Sequence, residues 1–441
     1  MGKSVGNIQW AILFALVLLA YPANGQELRV DIGQAIGGTP TPEDGYQAFT
    51  ANTSATVSNN YAAAFGTGGG GTVTVDITAP FYRGVPATYP QVTGVPGFND
   101  LLSGAALMNN NPSPQTMTLD LTNLADGDYA ITTFHHTNYI NSTGLASIDI
   151  SLTDAINAGV LQHAAVPVTA GAAPANFTTR VTNFTVAGGS ATTLTFDGMG
   201  PSGGAEHANL NAFIINDITA GLPALNVDFG AADNVGGGPG GTQTGFQAFE
   251  GTNNGSDVPN ASRFIPSLYA NNGLLSVDVT GSTHYRDYTS LSGGNAAFGE
   301  NALLSDMVLR NSDGEMTLML DNLLAGTYEI TTFHHSTQFG GGTFDVELTD
   351  SSVTDMLLFD DASVSAGTDP ASISSLSFQF TTDGSPVAID FLGGAGGQHL
   401  SLNGFSLQQV AVPEPASVAI WTLFGLACVG MYRIRRTRTQ T

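Results

Sequence analysis

The chain repeats itself once, and that constrains its architecture more than any figure of composition. Val30-Asp-Ile-Gly33 returns as Val227-Asp-Phe-Gly230, and Gly45-Tyr-Gln-Ala-Phe49 returns as Gly245-Phe-Gln-Ala-Phe249. Val75-Asp-Ile-Thr78 with Tyr82-Arg83 matches Val277-Asp-Val-Thr280 with Tyr285-Arg286, and Leu101-Leu-Ser103 matches Leu303-Leu-Ser305. The longest identity is Ile131-Thr-Thr-Phe-His-His136 against Ile330-Thr-Thr-Phe-His-His335. Each half closes on a histidine and a Leu-Asn-x-Phe run, His207 with Leu210 to Phe213 and His399 with Leu402 to Phe405. Order is kept at an offset of about 200 residues, so the unit is a duplicated domain of about 190 residues, too long for a solenoid turn. The repeats are expected over 28–219 and 225–411. Gly221-Leu-Pro223 joins them as a hinge too short for free movement.

Both repeats read as strands. Met117-Thr-Leu-Asp-Leu121 and Met316-Thr-Leu-Met-Leu320 alternate or run apolar. Gly127 and Gly326 then open segments rich in β-branched and aromatic residues. Ser147-Ile-Asp-Ile-Ser-Leu152 and Thr343-Phe-Asp-Val-Glu-Leu348 alternate with period two. Fifty-five glycines supply turns, and nothing between the two ends keeps helical period for three turns. The expected class is all-β, two tandem antiparallel β-sandwiches of jelly-roll-like form.

The ends are addresses. Residues 1–25 read as a secretory signal: Lys3, an apolar run from Trp10 to Ala20, and small residues Ala23 and Gly25 before Gln26. At the other end, Pro413-Glu414-Pro415 precedes an apolar stretch from Val418 to Tyr432. Arg433, Arg435, Arg436 and Arg438 follow. A helix over Ala416 to Tyr432, roughly 25 Å long, just spans a thin bilayer, with the arginines holding its end in the cytoplasm.

This tail closely resembles the PEP-CTERM sorting signal of Gram-negative and related bacteria. The resemblance implies a 412–441 sorting and anchor segment processed by an exosortase, with Pro413, Glu414 and Pro415 as recognition residues. It also implies a place at the cell surface or in the extracellular matrix, transiently or permanently anchored in the membrane. The body shows a second likeness. Its opening Val-Asp-x-Gly, its Leu323, Gly326, Tyr328, Ile330 and Phe333 pattern and its closing Leu402 to Phe405 resemble malectin-type and carbohydrate-binding jelly rolls of the galactose-binding-like superfamily. In that fold the first and last strands lie together, beside the Gly-x-Tyr strand.

Composition narrows the chemistry. The 441 residues carry a formal net charge of -25, which repels phosphate backbones and argues against nucleic-acid binding. Between the two ends stand six arginines, no lysine and 35 acids, a net charge of -29, suited to a saline or divalent-rich exterior. The only lysine is Lys3, which excludes Walker-type and Schiff-base chemistry. The only cysteine is Cys428, which excludes disulfides and cysteine-cluster metal sites.

The reactive candidates are few. Tyr82-Arg83 and Tyr285-Arg286 place two of six body arginines at one repeat position, suited either to stacking on a sugar face or to fixing a loop against carboxylates. His135 and His136, like His334 and His335, are consecutive strand residues and face opposite sides, so a pair cannot line one pocket. If the terminal strand lies alongside, His207 or His399 approaches one member of its pair. Such a group suits either a divalent ion or hydrogen bonding within the sheet. Repeated acids (Asp31/Asp228, Asp76/Asp278, Asp149/Asp345 and Asp154/Asp350) read as an outer, solvated face, and structural Ca2+ is the cation such Gly/Asp-rich loops admit. The expected function is non-catalytic: binding or organising extracellular polysaccharide or matrix. The alternatives are a secreted glycan hydrolase or lyase and a purely structural envelope protein.

Overall fold

The computed structural model describes residues 27–32, 42, 45–50, 56–83, 92, 98, 101–109, 116–137, 147–171, 177–199, 207–231, 246–251, 260–282, 284–287, 303, 306–310, 314–336, 342–367, 374–393 and 399–410. The signal segment 1–25 and the tail with Pro413, Glu414, Pro415, Arg433, Arg435 and Arg436 lie outside them. Among the described residues no helix is long and apolar enough to cross a membrane.

The described elements are thirty strands and one 3-10 turn, Asn271–Gly273. Alternation fixes which side of each strand is buried. In Thr72–Thr78 and Thr116–Thr122, Val73, Val75, Ile77, Met117, Leu119 and Leu121 face inward, while the intervening Thr and Asp face outward. Each repeat builds the same three sheets. The first runs Gln47–Ala48, Glu27–Asp31, Ala212–Asp217, Gly127–Thr137, with Thr178–Val186 and Thr169–Ala170 on the far side of Gly127–Thr137. The second is six-stranded, from Thr56–Ala62 through Thr72–Thr78, Thr116–Thr122, Thr192–Met199 and Ser147–Thr153 to Val160–Pro167. A three-stranded sheet of Phe81–Arg83, Ala105–Asn109 and His207–Leu210 closes one end. Repeat 2 reproduces these orders strand for strand. Leu28 pairs with Ile215 and Val227 with Phe405, so opening and closing strands adjoin, and the closing strand lies against the Gly-x-Tyr strand.

The two large sheets pack face to face. In repeat 1, Leu28, Val30, Ile131, Phe213 and Ile215 meet Val75, Ile77, Leu119, Ile150 and Phe196 in one cluster drawn only from residues 28–215. In repeat 2 the matching cluster is drawn only from residues 225–407. Each fully buried aliphatic or aromatic side chain of this kind contributes about 1.5–3 kcal/mol, so each repeat owns a self-contained core.

A third apolar cluster joins the repeats. Tyr46, Phe98, Phe134, Phe177 and Ile214, on the outer side of repeat 1, meet Leu274 and Phe264 of repeat 2. Phe264 stands edge-on to Phe177 at 6.1 Å. The turn Asn271–Gly273 lies on the face made by Thr132 and Val181, and the Thr179 hydroxyl donates to the Asn272 carbonyl. Gly273 sits at φ +83°, and a Cβ there would stand 2.8 Å from Val181 Cγ2, so both conformation and space require glycine. The Tyr269 hydroxyl donates to the Pro223 carbonyl at 2.9 Å, tying down the linker. A half-open crevice is left at this junction, lined by Thr132, Ile214 and Asn216 of repeat 1, the linker residue Pro223, and Pro266 and Tyr269 of repeat 2.

Candidate functional site

The repeated histidines sit at the end of the long central strands, Gly127–Thr137 and Gly326–Ser336, and all four are fully buried. The Nδ1–H of His135 donates to the Asn209 carbonyl at 2.8 Å, so Nε2 accepts the Thr133 hydroxyl at 2.8 Å. The ring lies 5.9 Å from Phe196 inside the sandwich. His334 repeats this with the Ser401 carbonyl and the Thr332 hydroxyl, against Phe344 at 4.6 Å. Burial lowers both to about 4, so these imidazoles are neutral at ordinary pH.

Their neighbours point the other way, as strand geometry requires. His136 donates Nε2–H to the Gly171 carbonyl and meets the Thr169 hydroxyl with Nδ1, both at 2.9 Å. His335 does the same with Gly367 and Ser365, both at 3.0 Å. Burial lowers these two as well. All eight ring nitrogens are therefore engaged within the protein. Of the four side chains considered for ligand contact, His135 and His334 point into the sandwich. His136 and His335 are bonded to the short parallel strands Thr169–Ala170 and Ser365–Ala366, which pair beside them, and to Gly171 and Gly367 just beyond.

The other half of this node is the Leu-Asn-x-Phe asparagine. Asn211 accepts the His136 amide at 2.7 Å and donates to the carbonyls of Leu102 and Gly104. Its own amide bonds the Phe134 carbonyl, and its carbonyl accepts Ile32 N–H. Asn403 accepts the His335 amide at 2.6 Å, and its backbone bonds Phe333 and Phe229 in the same way. This residue lets the chain leave the end sheet and enter the first sheet without orphaning a buried amide. Sequence reasoning passed over it, although the repeated Leu-Asn-x-Phe was the signal.

The remaining candidates disperse. Tyr82 is buried: its ring stacks on Phe49, and its hydroxyl donates to the Ile77 carbonyl. Burial raises it to about 12. Its ring belongs to the repeat 1 core cluster, although Phe81–Arg83 pairs in the end sheet, and it offers no face to a sugar. Arg83, Tyr285 and Arg286 stand in the matching end strands, opposite Ala105, Val308 and Met307. His207 opens the strand opposite Asn109. His399, half-buried, precedes Leu400–Leu402. Among the described residues no group of three potential metal ligands includes a histidine.

The repeated acids have structural tasks. Asp149 accepts the amide of Ala165 and Asp345 that of Asp361, both positive-φ residues where the edge strand bulges. Asp154 accepts the amides of Ile156, Asn157 and Thr185, and Asp350 those of Ser352, Val353 and Thr381. These amides hold both carboxyls below the usual range against the opposing effect of burial. Asp31 and Asp228, expected on a solvated face, are buried instead, with parallel strands Gln47–Ala48 and Gln247–Gly251 running beside them. Asp345, Asp360 and Asp361 bring three carboxylates within 4.8 Å of one another. Ala164 and Ala165 replace two of them in repeat 1, so this acidic group is not a repeated site.

No protein-family model and no curated protein matches the chain. Among solved structures it is similar to the ANXUR2 extracellular domain from Arabidopsis thaliana, at 9% identity and TM-score 0.41, over 88% of this chain and 97% of that one. It is also similar to the ANX1 ectodomain from Arabidopsis thaliana, at 10% identity and TM-score 0.35, over 75% and 90%. The N-terminal CBM22-1–CBM22-2 tandem domain of Xyn10C from Paenibacillus barcinonensis matches at 13% identity and TM-score 0.24, over 80% and 97%.

Proposed function

We propose that the chain is an exported, surface-sorted, non-catalytic protein whose two jelly-roll-like repeats, 28–219 and 225–411, bind or organise extracellular polysaccharide or matrix. The observation that carries the non-catalytic part is the fate of the repeated polar side chains. The histidine pairs and the acids Asp149, Asp345, Asp154 and Asp350 serve backbone amides and carbonyls. The one described group of three carboxylates, Asp345 with Asp360 and Asp361, is not repeated in the other half, as a duplicated glycan-cleaving acid pair would be. The tail motif Pro413-Glu414-Pro415 with Arg433, Arg435 and Arg436 supports exosortase processing and anchoring at the surface. A purely structural envelope role is the second reading. It is favoured because the large hydrophobic residues most exposed among those described are isoleucine, valine, leucine and methionine rather than aromatics that stack on a sugar.

Affinity electrophoresis through gels of acidic and neutral polysaccharides, with and without Ca2+, decides between them. Binding predicts retardation that weakens in an Arg83→Ala, Tyr285→Ala, Arg286→Ala variant. Unretarded migration in every gel contradicts binding and leaves the structural role.

A further inference from the structure

The contact between the repeats is a plug in a socket. The plug is the Asn260–Pro266 and Leu274–Thr280 hairpin of repeat 2, with Phe264, Leu274 and the turn Asn271–Gly273. The socket is the outer side of repeat 1's first sheet. Strand register places Ile214, Thr132 and Val181 in one row across it, and Asn216, Ala130 and Asn183 in the next. Ala130, Thr132, Thr179 and Ile214 are all buried there.

Because the repeats share a register, each of these surfaces has a counterpart at an outer end of the molecule. The outer socket, on repeat 2, has the row Ser406, Thr331, Ser377 and the row Gln408, Glu329, Gln379. Ile214 is thus replaced by Ser406, Val181 by Ser377 and Ala130 by Glu329. Ser377, Gln379 and Gln408 are exposed, and the Thr331 and Ser377 hydroxyls bond each other at 2.7 Å. The outer plug, on repeat 1, pairs Asn60 with Thr74 and Ala62 with Thr72 where repeat 2 pairs Phe264 with Ser276 and Pro266 with Leu274. Phe264 is thus replaced by Asn60 and Leu274 by Thr72. Its turn runs from Thr67 to Gly71, longer than the docked Asn271–Gly273 and made almost wholly of glycine.

We infer that the chain is a terminated head-to-tail array. Among the described residues the internal contact carries Ile214, Val181, Ala130, Phe264 and Leu274, whereas the matching positions at both outer ends carry polar side chains. Of the flanking aromatics only Phe246 and Phe333 answer to Tyr46 and Phe134. A heterologous contact that repeats without closing builds a filament, and polar caps on terminal repeats are what stop it. The molecule therefore works as one two-repeat unit and does not polymerise through its repeats.

The test uses full chains carrying different affinity tags. One variant restores the plug (Asn60→Phe, Thr72→Leu). Another restores the socket (Glu329→Ala, Ser377→Val, Ser406→Ile). Mixed together, they are expected to co-purify at least about tenfold above two wild-type copies, with each variant failing to capture itself. Changing Gly70→Glu in the plug variant should abolish the gain. Three results overturn the inference: wild-type copies capturing one another through these faces, a mixture that captures no more than wild type, or a gain that survives the turn change.

Discussion

The outer sides of the two first sheets are the same strands in opposite surroundings. On repeat 1 the face is covered by its neighbour and presents Ile214, Val181 and Ala130; on repeat 2 the same three positions are Ser406, Ser377 and Glu329, with Ser377 exposed. Inside the sandwiches the repeats differ little: the histidine and asparagine contacts recur with nearly the same distances, as do the aspartate clamps on the edge-strand bulges. The duplication has held the interior and let the surface diverge according to what each face meets. Burial of an apolar face stabilises only where a partner exists, and exposure of the same face invites association.

If that division is right, substitutions in the shared interior cost both repeats alike, and substitutions on the faces do not. The largest effect belongs to Asn211→Ala and Asn403→Ala. Removing Asn211 strands the His136 amide and two buried carbonyls, an expected loss of about 3 kcal/mol or more, and Asn403→Ala should match it in denaturant unfolding. A large difference between the two breaks the claim of a common interior. Acid comes next. His135 and His334 are held at about 4 in the folded protein against an ordinary 6.5. The unfolded chain therefore binds more protons between these values, and the stability present above pH 6.5 is lost as pH falls toward 4. Each histidine contributes up to about 3 kcal/mol. Urea midpoints measured across that range should fall in wild type and flatten in a His135→Gln, His334→Gln variant that still folds.

The faces themselves give a smaller, one-sided effect. Ile214→Ser is expected to cost about 2–4 kcal/mol through lost burial against repeat 2, whereas Ser406→Ala should stay within about 0.5 kcal/mol. Equal costs would mean that the junction contributes nothing. The smallest contrast is a matched pair of glycines. Gly71 and Gly273 precede equivalent strands at φ +74° and +83°, but a Cβ at Gly71 meets only the Ala63 carbonyl at 4.0 Å. Alanine should cost about 1 kcal/mol at Gly71 for conformation alone, and measurably more at Gly273, where it also strikes Val181.

Much of this was legible in the chain. Period-two alternation gave the all-β sandwiches, the duplication gave their number, and adjacency of His135 to His136 was enough to place them on opposite sides. Tyr82 was misread because nothing local says whether a short end strand folds under a sandwich or out from it. Asp149 and Asp345 looked like surface acids, which they are. Their grip on a bulge could not be read, because the amide each accepts lies sixteen residues away in a paired strand. The docking face was hidden for a similar reason: Ala130, Val181 and Ile214 become neighbours only once register is known.

Thiol labelling tests the asymmetry most directly. In a Cys428→Ser background, Thr179→Cys places a thiol in the covered face, where the native residue is 1% exposed, and Ser375→Cys places one at the matching exposed position. The account predicts rapid modification at 375 and protection at 179 that disappears when Ile214→Ser loosens the junction. Equal, rapid labelling at both positions in the otherwise unaltered chain would contradict it.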